Sequence, residues 1–222
     1  MRESFRQELR DLKMETLLIG RLVIQQTRGA VTAVVTRDVD LAEKVVAGDA
    51  EIDRRTRGVE DHSIEVIATQ YPVARDLRLL MSLSYMTMHM ERQGDLSVNI
   101  AKVARRTAAI EGPQTLYDLF GAQGNLVYRV MESSMDALDT SDVETAQRLV
   151  KLDEPIDSMY KQFLGELARL EDEETVEWAN QMVLAARHLE RIADNAVTIG
   201  ERIGYVVTGH WDDGTNDPEG AH

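Results

Sequence analysis

The sequence predicts an all-α protein of two tandem three-helix bundles related by internal duplication. The first observation behind this is a repeat. His188 to Glu201 reads HLERIADNAVTIGE, and the same construction stands 99 residues earlier as HMERQGDLSVNIAK, from His89 to Lys102. Glu91 and Asp95 match Glu190 and Asp194, with Arg92/Arg191, Val98/Val197 and Ile100/Ile199 in step, so charged and apolar positions both recur. The second observation is that both copies sit in segments with apolar residues at helical spacing and no internal proline. A pair of helix-start signals in matching places is the third.

In chain order, Leu9, Leu12, Met14, Leu17, Leu18, Leu22, Val23, Val31, Val34 and Val35 keep a helical stripe from Phe5 to Thr36, which Gly20 and Gly29 threaten to interrupt. After a turn at Arg37 to Asp40, Asp40-x-x-Glu43 fits a capping box, and the second helix runs to about Tyr71. Pro72 suits the first turn of a third helix, which carries Leu77, Leu79, Leu80, Leu83 and Met86 into the first motif and ends near Glu111-Gly112-Pro113. A fourth helix is expected from Leu116 to Leu138, and Ser141-x-x-Glu144 is a second capping box that opens the fifth. That helix runs through Leu149, Leu152, Ile156, Phe163 and Leu167 to the acidic run Glu171 to Glu174, whose charge favours the N-terminus of the sixth. The expected division is a first unit over 1–112, a second over 113–208 and a flexible polar tail over 209–222.

Composition narrows the function. With no cysteine, disulfides, thiolate nucleophiles and Cys-ligated zinc are excluded. A net charge of −14 opposes phosphate-backbone binding, which needs clustered Lys and Arg, so nucleic acid is not an expected partner. The charged start MRESFRQELRD lacks the apolar stretch of a secretion signal, and no run is long and apolar enough to span a bilayer. The expectation is a cytoplasmic protein without membrane insertion. Walker-type, Gly-x-Gly-x-x-Gly and Gly-x-Ser-x-Gly patterns are missing, and the spacing Glu-x-x-His of di-iron bundles occurs only at Glu219 and His222 in the tail.

What remains is a set of carboxylates. Asp49-x-x-x-Asp53 precedes Glu91-x-x-x-Asp95, and Asp153-x-x-x-Asp157 precedes Glu190-x-x-x-Asp194, giving two pairs in each unit. Residues four apart share a helix face, and like charges there repel, so pairs brought together call for a counter-charge. Hard cations such as iron, manganese or magnesium prefer carboxylate oxygens and could supply it. One such pair alone would be ordinary solvated surface in so acidic a chain; recurrence in register is what singles these out. His89 and His188 lie about 200 degrees around the helix from the glutamates two residues on, so neutral helix histidines are expected rather than shared ligands. Met81, Met86, Met88 and Met90 read as core filler, with adaptable packing that would also suit a partner groove.

These residues resemble the PhoU family of phosphate-uptake regulators. The likeness rests on Gln70-Tyr71-Pro72-Val73-Ala74-Arg75-Asp76-Leu77-Arg78, on Glu91-Arg92-x-Gly94-Asp95 with Asn99-Ile100-Ala101, and on His188-Leu189-Glu190-Arg191-Ile192 with Asp194-Asn195 and Gly200-Glu201. It covers nearly the whole chain up to the tail. The resemblance implies multinuclear iron or zinc clusters, with manganese or magnesium as further options, on Asp49, Asp53, Glu91, Asp95, Asp153, Asp157, Glu190 and Asp194. It also implies a non-enzymatic adaptor between the cytosolic side of a phosphate ABC transporter and a sensor histidine kinase. Such an adaptor restrains uptake and the starvation response when phosphate is plentiful; a homodimer is a further expected partnership. The alternative is a metal-dependent phosphate-binding protein or a metalloenzyme acting on phosphoesters. Thr198 replaces Asn99 and Glu201 replaces Lys102 in the second unit, so the two sites need not hold the same number of metals. Arg75-Asp76 has no second-unit equivalent and reads either as a helix-start ion pair or as a partner contact.

Overall fold

The structure is a computed structural model that describes residues 2–170 and 175–211. Six helices follow in order: α1 Arg2–Thr36, α2 Val39–Gln70, α3 Ala74–Thr107, α4 Gln114–Thr140, α5 Val143–Leu167 and α6 Val176–Thr208. No strand occurs among the described residues. Helices α1, α2 and α3 pack on one another, as do α4, α5 and α6, and the two units meet through α1 against α4 and α3 against α6. One continuous apolar core runs through both, from Leu12, Ile19 and Val23 to Leu189, Ile192 and Ile199.

The helix starts lie where expected but rest on other residues. Asp38, not Asp40, caps α2, its side chain accepting from the Leu41 N–H at 2.9 Å. In the same way Asp142, not Ser141, caps α5 by accepting from the N–H groups of Glu144 and Thr145 at 2.9 and 3.3 Å. Ser141 itself is left-handed (φ 57°) and closes α4, as Arg37 (φ 55°) follows α1. Each hairpin thus spends one residue on the left-handed turn and the next on the cap, which moves the cap off the capping-box register. Pro72 precedes α3 rather than opening it, because Tyr71 (φ 50°) and Ala74 (φ 46°) both turn left-handed around it. The acidic run Glu171 to Glu174 lies outside the described residues.

Gly20 does not interrupt α1. A Cβ there would lie 2.0 Å from Met135 Sδ, and one on Gly124 would lie 2.9 Å from Val31 Cγ1. Shifting Gly20 and Val31 by 104 residues gives Gly124 and Met135, so the two contacts are symmetry mates and α1 and α4 cross antiparallel about a pseudo-two-fold axis. Pro155 stands inside α5. It sits on the exposed face, as does Lys151, so the carbonyl that loses its N–H partner is open to water and the helix continues.

Gly112, expected to mark the boundary, has a packing role. The buried Trp178 ring lies where its Cβ would be, 2.2 Å from Cε2 and Cζ2, and the indole N–H donates to the Tyr117 hydroxyl at 2.8 Å. At the start of the expected tail, Gly209 closes α6 with φ 80°, and Trp211 stacks on Tyr205 with ring centres 4.4 Å apart. Residues 212–222 of that tail lie outside the described residues. Gly112→Ala should destabilise the protein by about 1–3 kcal/mol, because the rigid indole must shift to admit a methyl group. Urea unfolding of the variant beside the parent checks this.

Candidate metal centres

Each candidate set is built by one helix pair. Asp49 and Asp53 lie on α2 facing Glu91 and Asp95 of α3; Asp153 and Asp157 lie on α5 facing Glu190 and Asp194 of α6. Burial of Ile52 and Ile156 holds the two second helices in the same rotation, so that the aspartate beside each isoleucine lies at the edge of the interface, half-buried. Gly94 lets α3 approach, since a Cβ there would lie 3.2 Å from Asp49 Oδ1 and 3.0 Å from Gln26 Oε1.

Within each set the charges act on one another. The Asp49 carboxyl lies above its ordinary range, raised first by burial and then by Asp53 and Asp95, against a hydrogen bond from Gln26. Burial also raises Glu91, with Asp53 and Asp95 adding to it. In the second set the Asp153 carboxyl is pushed up to about 6, by burial first and then by Asp194, Asp157 and Glu190. Glu190 and Asp194 are raised by burial too, with the Arg187 guanidinium opposing the shift in both. All eight predicted residues therefore fall into two sets of four, each within electrostatic reach across a helix pair.

The sets differ in what neutralises them. In the first, Gln26 Nε2 donates to Asp49 Oδ1 at 3.0 Å, Arg57 pairs with Asp53 at 3.7 Å and Arg92 with Asp95 at 3.6 Å. In the second, Arg187 bonds to Glu190, while Asp153 Oδ1 is buried without a hydrogen-bond partner. Composition alone gave no signal for Gln26, whereas the spacing of Arg187 to Glu190 on one helix was legible as an ion pair.

All the donors are carboxylate oxygens, which suit hard cations, and the orphaned Asp153 oxygen faces a deficit that a cation would fill; by both observations the residues fit such a metal. As placed, no three Asp, Glu or His side chains among the described residues are grouped closely enough to hold one ion. Side-chain rotation can draw the oxygens together.

His89 lines one cavity with Glu91 and Asp95, but its hydrogen bond is to another partner. His89 Nδ1 bonds to Asn195 Oδ1 at 2.7 Å across α3 and α6, whereas His188 Nδ1 is buried without a partner. Burial, with Arg191 and Arg92 nearby, holds His188 below the usual imidazole range, so it is neutral at pH 7. Among the methionines, Met86 and Met90 are fully buried, while Met81 and Met88 stand more than half exposed on α3. Asp76 lies in the first turn of α3, and Arg75 is exposed and makes no ion pair with it. The helix-start ion pair is therefore not formed.

Fold and site together define an internally duplicated all-α protein in which each unit offers one oxygen-donor set. The PhoU domain matches residues 16–104 and 122–203. The chain is 32% identical over 213 residues to the phosphate-specific transport system accessory protein PhoU homolog of Pseudomonas aeruginosa, covering 93% of this chain and 86% of that protein. It is 30% identical to the homolog of Clostridium acetobutylicum, covering 94% and 96%. The crystal structure of PhoU from Pseudomonas aeruginosa superposes with a TM-score of 0.88 at 30% identity, over 93% of this chain and 100% of that one. That of the phosphate transport system regulatory protein PhoU from Streptococcus pneumoniae gives 0.85 at 26% identity, over 94% and 99%. The chain belongs to the PhoU family.

The Asp153 shift predicts a pH-dependent stability. Its folded pKa of about 6 lies above the ordinary 3.8, so the folded state holds this proton more tightly than the unfolded chain. The stability it contributes is full below the ordinary value and is lost as pH rises through about 6. Asp153→Asn should therefore stabilise metal-free protein near neutral pH, on the order of 1 kcal/mol after solvent screening, with the gain vanishing in acid. Thermal unfolding in chelator at several pH values measures it.

Proposed function

We propose that this protein is a non-enzymatic cytosolic adaptor that couples a phosphate ABC transporter to a sensor histidine kinase and restrains uptake and the starvation response when phosphate is plentiful. Membership of the PhoU family carries the reading, since relatives matched over most of their length are named accessory proteins of the phosphate-specific transport system. The two carboxylate sets supply the metal part: Asp49, Asp53, Glu91 and Asp95 would hold one hard-cation centre, and Asp153, Asp157, Glu190 and Asp194 the other. Iron or zinc is the first expectation, with manganese or magnesium also matching the oxygen donors. A bound cation would neutralise the facing carboxylates and lock α2 to α3 and α5 to α6.

Docking on a membrane complex would be protein-mediated, as no helix among the described residues is long and apolar enough to cross a membrane. A net charge of −14 complements the Lys- and Arg-rich cytosolic loops of membrane proteins. Exposed Met81 and Met88, two helical turns apart on α3, add adaptable apolar contact. A second copy of the chain in a homodimer is the remaining partner in this reading.

Deleting the gene should derepress phosphate-starvation genes at high phosphate, and complex formation with the transporter should weaken as salt rises. Normal repression in the deletion strain, with no transporter or kinase recovered by pull-down from intact membranes, sinks the adaptor reading; phosphoester turnover by metal-loaded protein would favour an enzyme instead. For the metal part, Glu91→Ala with Asp95→Ala should lower bound metal by about half and leave the second set loaded. Elemental analysis after reconstitution decides it.

A further inference from the structure

We infer that the two carboxylate sets bind divalent cations unequally, the set on α5 and α6 holding its ion more tightly and filling first. This rests on the metal reading above and goes beyond it, because the asymmetry comes from residues outside the eight ligands. The 104-residue shift that relates Gly20 to Gly124 and Asp49 to Asp153 carries Gln26 onto Val130. Gln26 is buried and its amide orientation is set by two acceptors, Val45 O at 3.3 Å and Asp49 Oδ1 at 3.0 Å. Val130, fully buried, has no donor to offer, and Asp153 Oδ1 is left without a partner.

The second difference is charge. Lys102 acts electrostatically on Asp49, and the 99-residue shift that relates the two motifs places Glu201 in its position. Arg57 pairs with Asp53 in the first set, whereas Asp157 has no ion pair among the described residues. The second set is not without cations, for Arg187 bonds to Glu190 and Arg187 and Arg191 both act on Asp194. Both lie on the α6 side, however, and on α5 Lys161, which the 104-residue shift places where Arg57 stands, forms no ion pair with Asp157. An incoming cation must displace an existing donor and meet repulsion from Lys102 at the first set, where the bare oxygen is the neutral amide Oε1 of Gln26; at the second the bare oxygen belongs to the Asp153 carboxylate itself.

Calorimetric titration of chelator-stripped full-length protein with Mn²⁺ tests this, using one variant that leaves each set intact. Glu91→Ala/Asp95→Ala should keep the tighter affinity, and Glu190→Ala/Asp194→Ala should show affinity weaker by about tenfold or more. Helicity by circular dichroism confirms that both remain folded. Adding Glu201→Lys, at an exposed position, to the first variant restores the missing cation and should weaken its Mn²⁺ binding several-fold. Equal affinities, a tighter first set, or no response to Glu201→Lys overturns the inference while leaving the metal reading in place. Failure of the parent protein to bind Mn²⁺ at all overturns both.

Discussion

Helices α3 and α6 cross antiparallel at the centre of the molecule, and everything else is hung on that crossing. Its middle is marked by one buried bond, Gln93 Nε2 donating to the Ile192 carbonyl at 2.9 Å, flanked by His89 to Asn195 on one side and Arg106 to Gln181 on the other. Residue numbers rise on one helix as they fall on its neighbour, so the two motifs face outward in opposite senses from a shared axis. Gln93 and Ile192 are themselves repeat mates, which places the pseudo-two-fold axis beside this bond. A polar side chain can be buried there only because it finds a backbone acceptor.

That placement explains why the acidic pairs survive in a packed fold. Each α3 or α6 pair is carried to the flank by the central crossing and meets the pair on the outer helix, α2 or α5. Six of the carboxylates end half-buried, with Asp95 and Asp194 exposed, and burial together with the facing charges raises Asp49 and Asp153. Two unlike environments result from one duplicated plan, since the helices behind them, α1 and α4, no longer present the same side chains. The histidines repeat the lesson: His89 has Asn195 opposite it, while the repeat mate of Asn195 is Leu96, which leaves the His188 nitrogen unpartnered.

Tyr71 and Val73 expose most of their side chains beside the left-handed turn at the start of α3, and Met81 and Met88 extend an apolar series along the same helix. The sequence of this stretch, Tyr71 to Arg78, has no equivalent in the second unit, where Asp157 stands five residues nearer in sequence to Glu190 than Asp53 does to Glu91. Any partner that reads this region therefore reads one unit and not the other. Arg78, from the same stretch, reaches the far end of α6, where its guanidinium lies against Gly209. The turn is thereby tied to the second unit rather than to its own alone.

Helical periodicity, the repeat and the position of the carboxylates were all legible in the sequence, because each depends on spacing along one chain. Leucine and valine at helical intervals dictate which faces are buried, and residues four apart share a face whatever surrounds them. Spacing also located the helix starts to within a few residues, but not the capping side chains, since the left-handed residue ahead of Asp38 and Asp142 is settled by how each hairpin closes. Gly20 looked like a weak point and Gly112 like a boundary; their Cα atoms instead admit Met135 and Trp178 from helices more than 60 residues away. The same holds for Gln26 on Asp49 and the bare oxygen of Asp153: hydrogen-bond partners are chosen by three-dimensional neighbours, which only the packing of α1 on α2 and α4 on α5 brings into place.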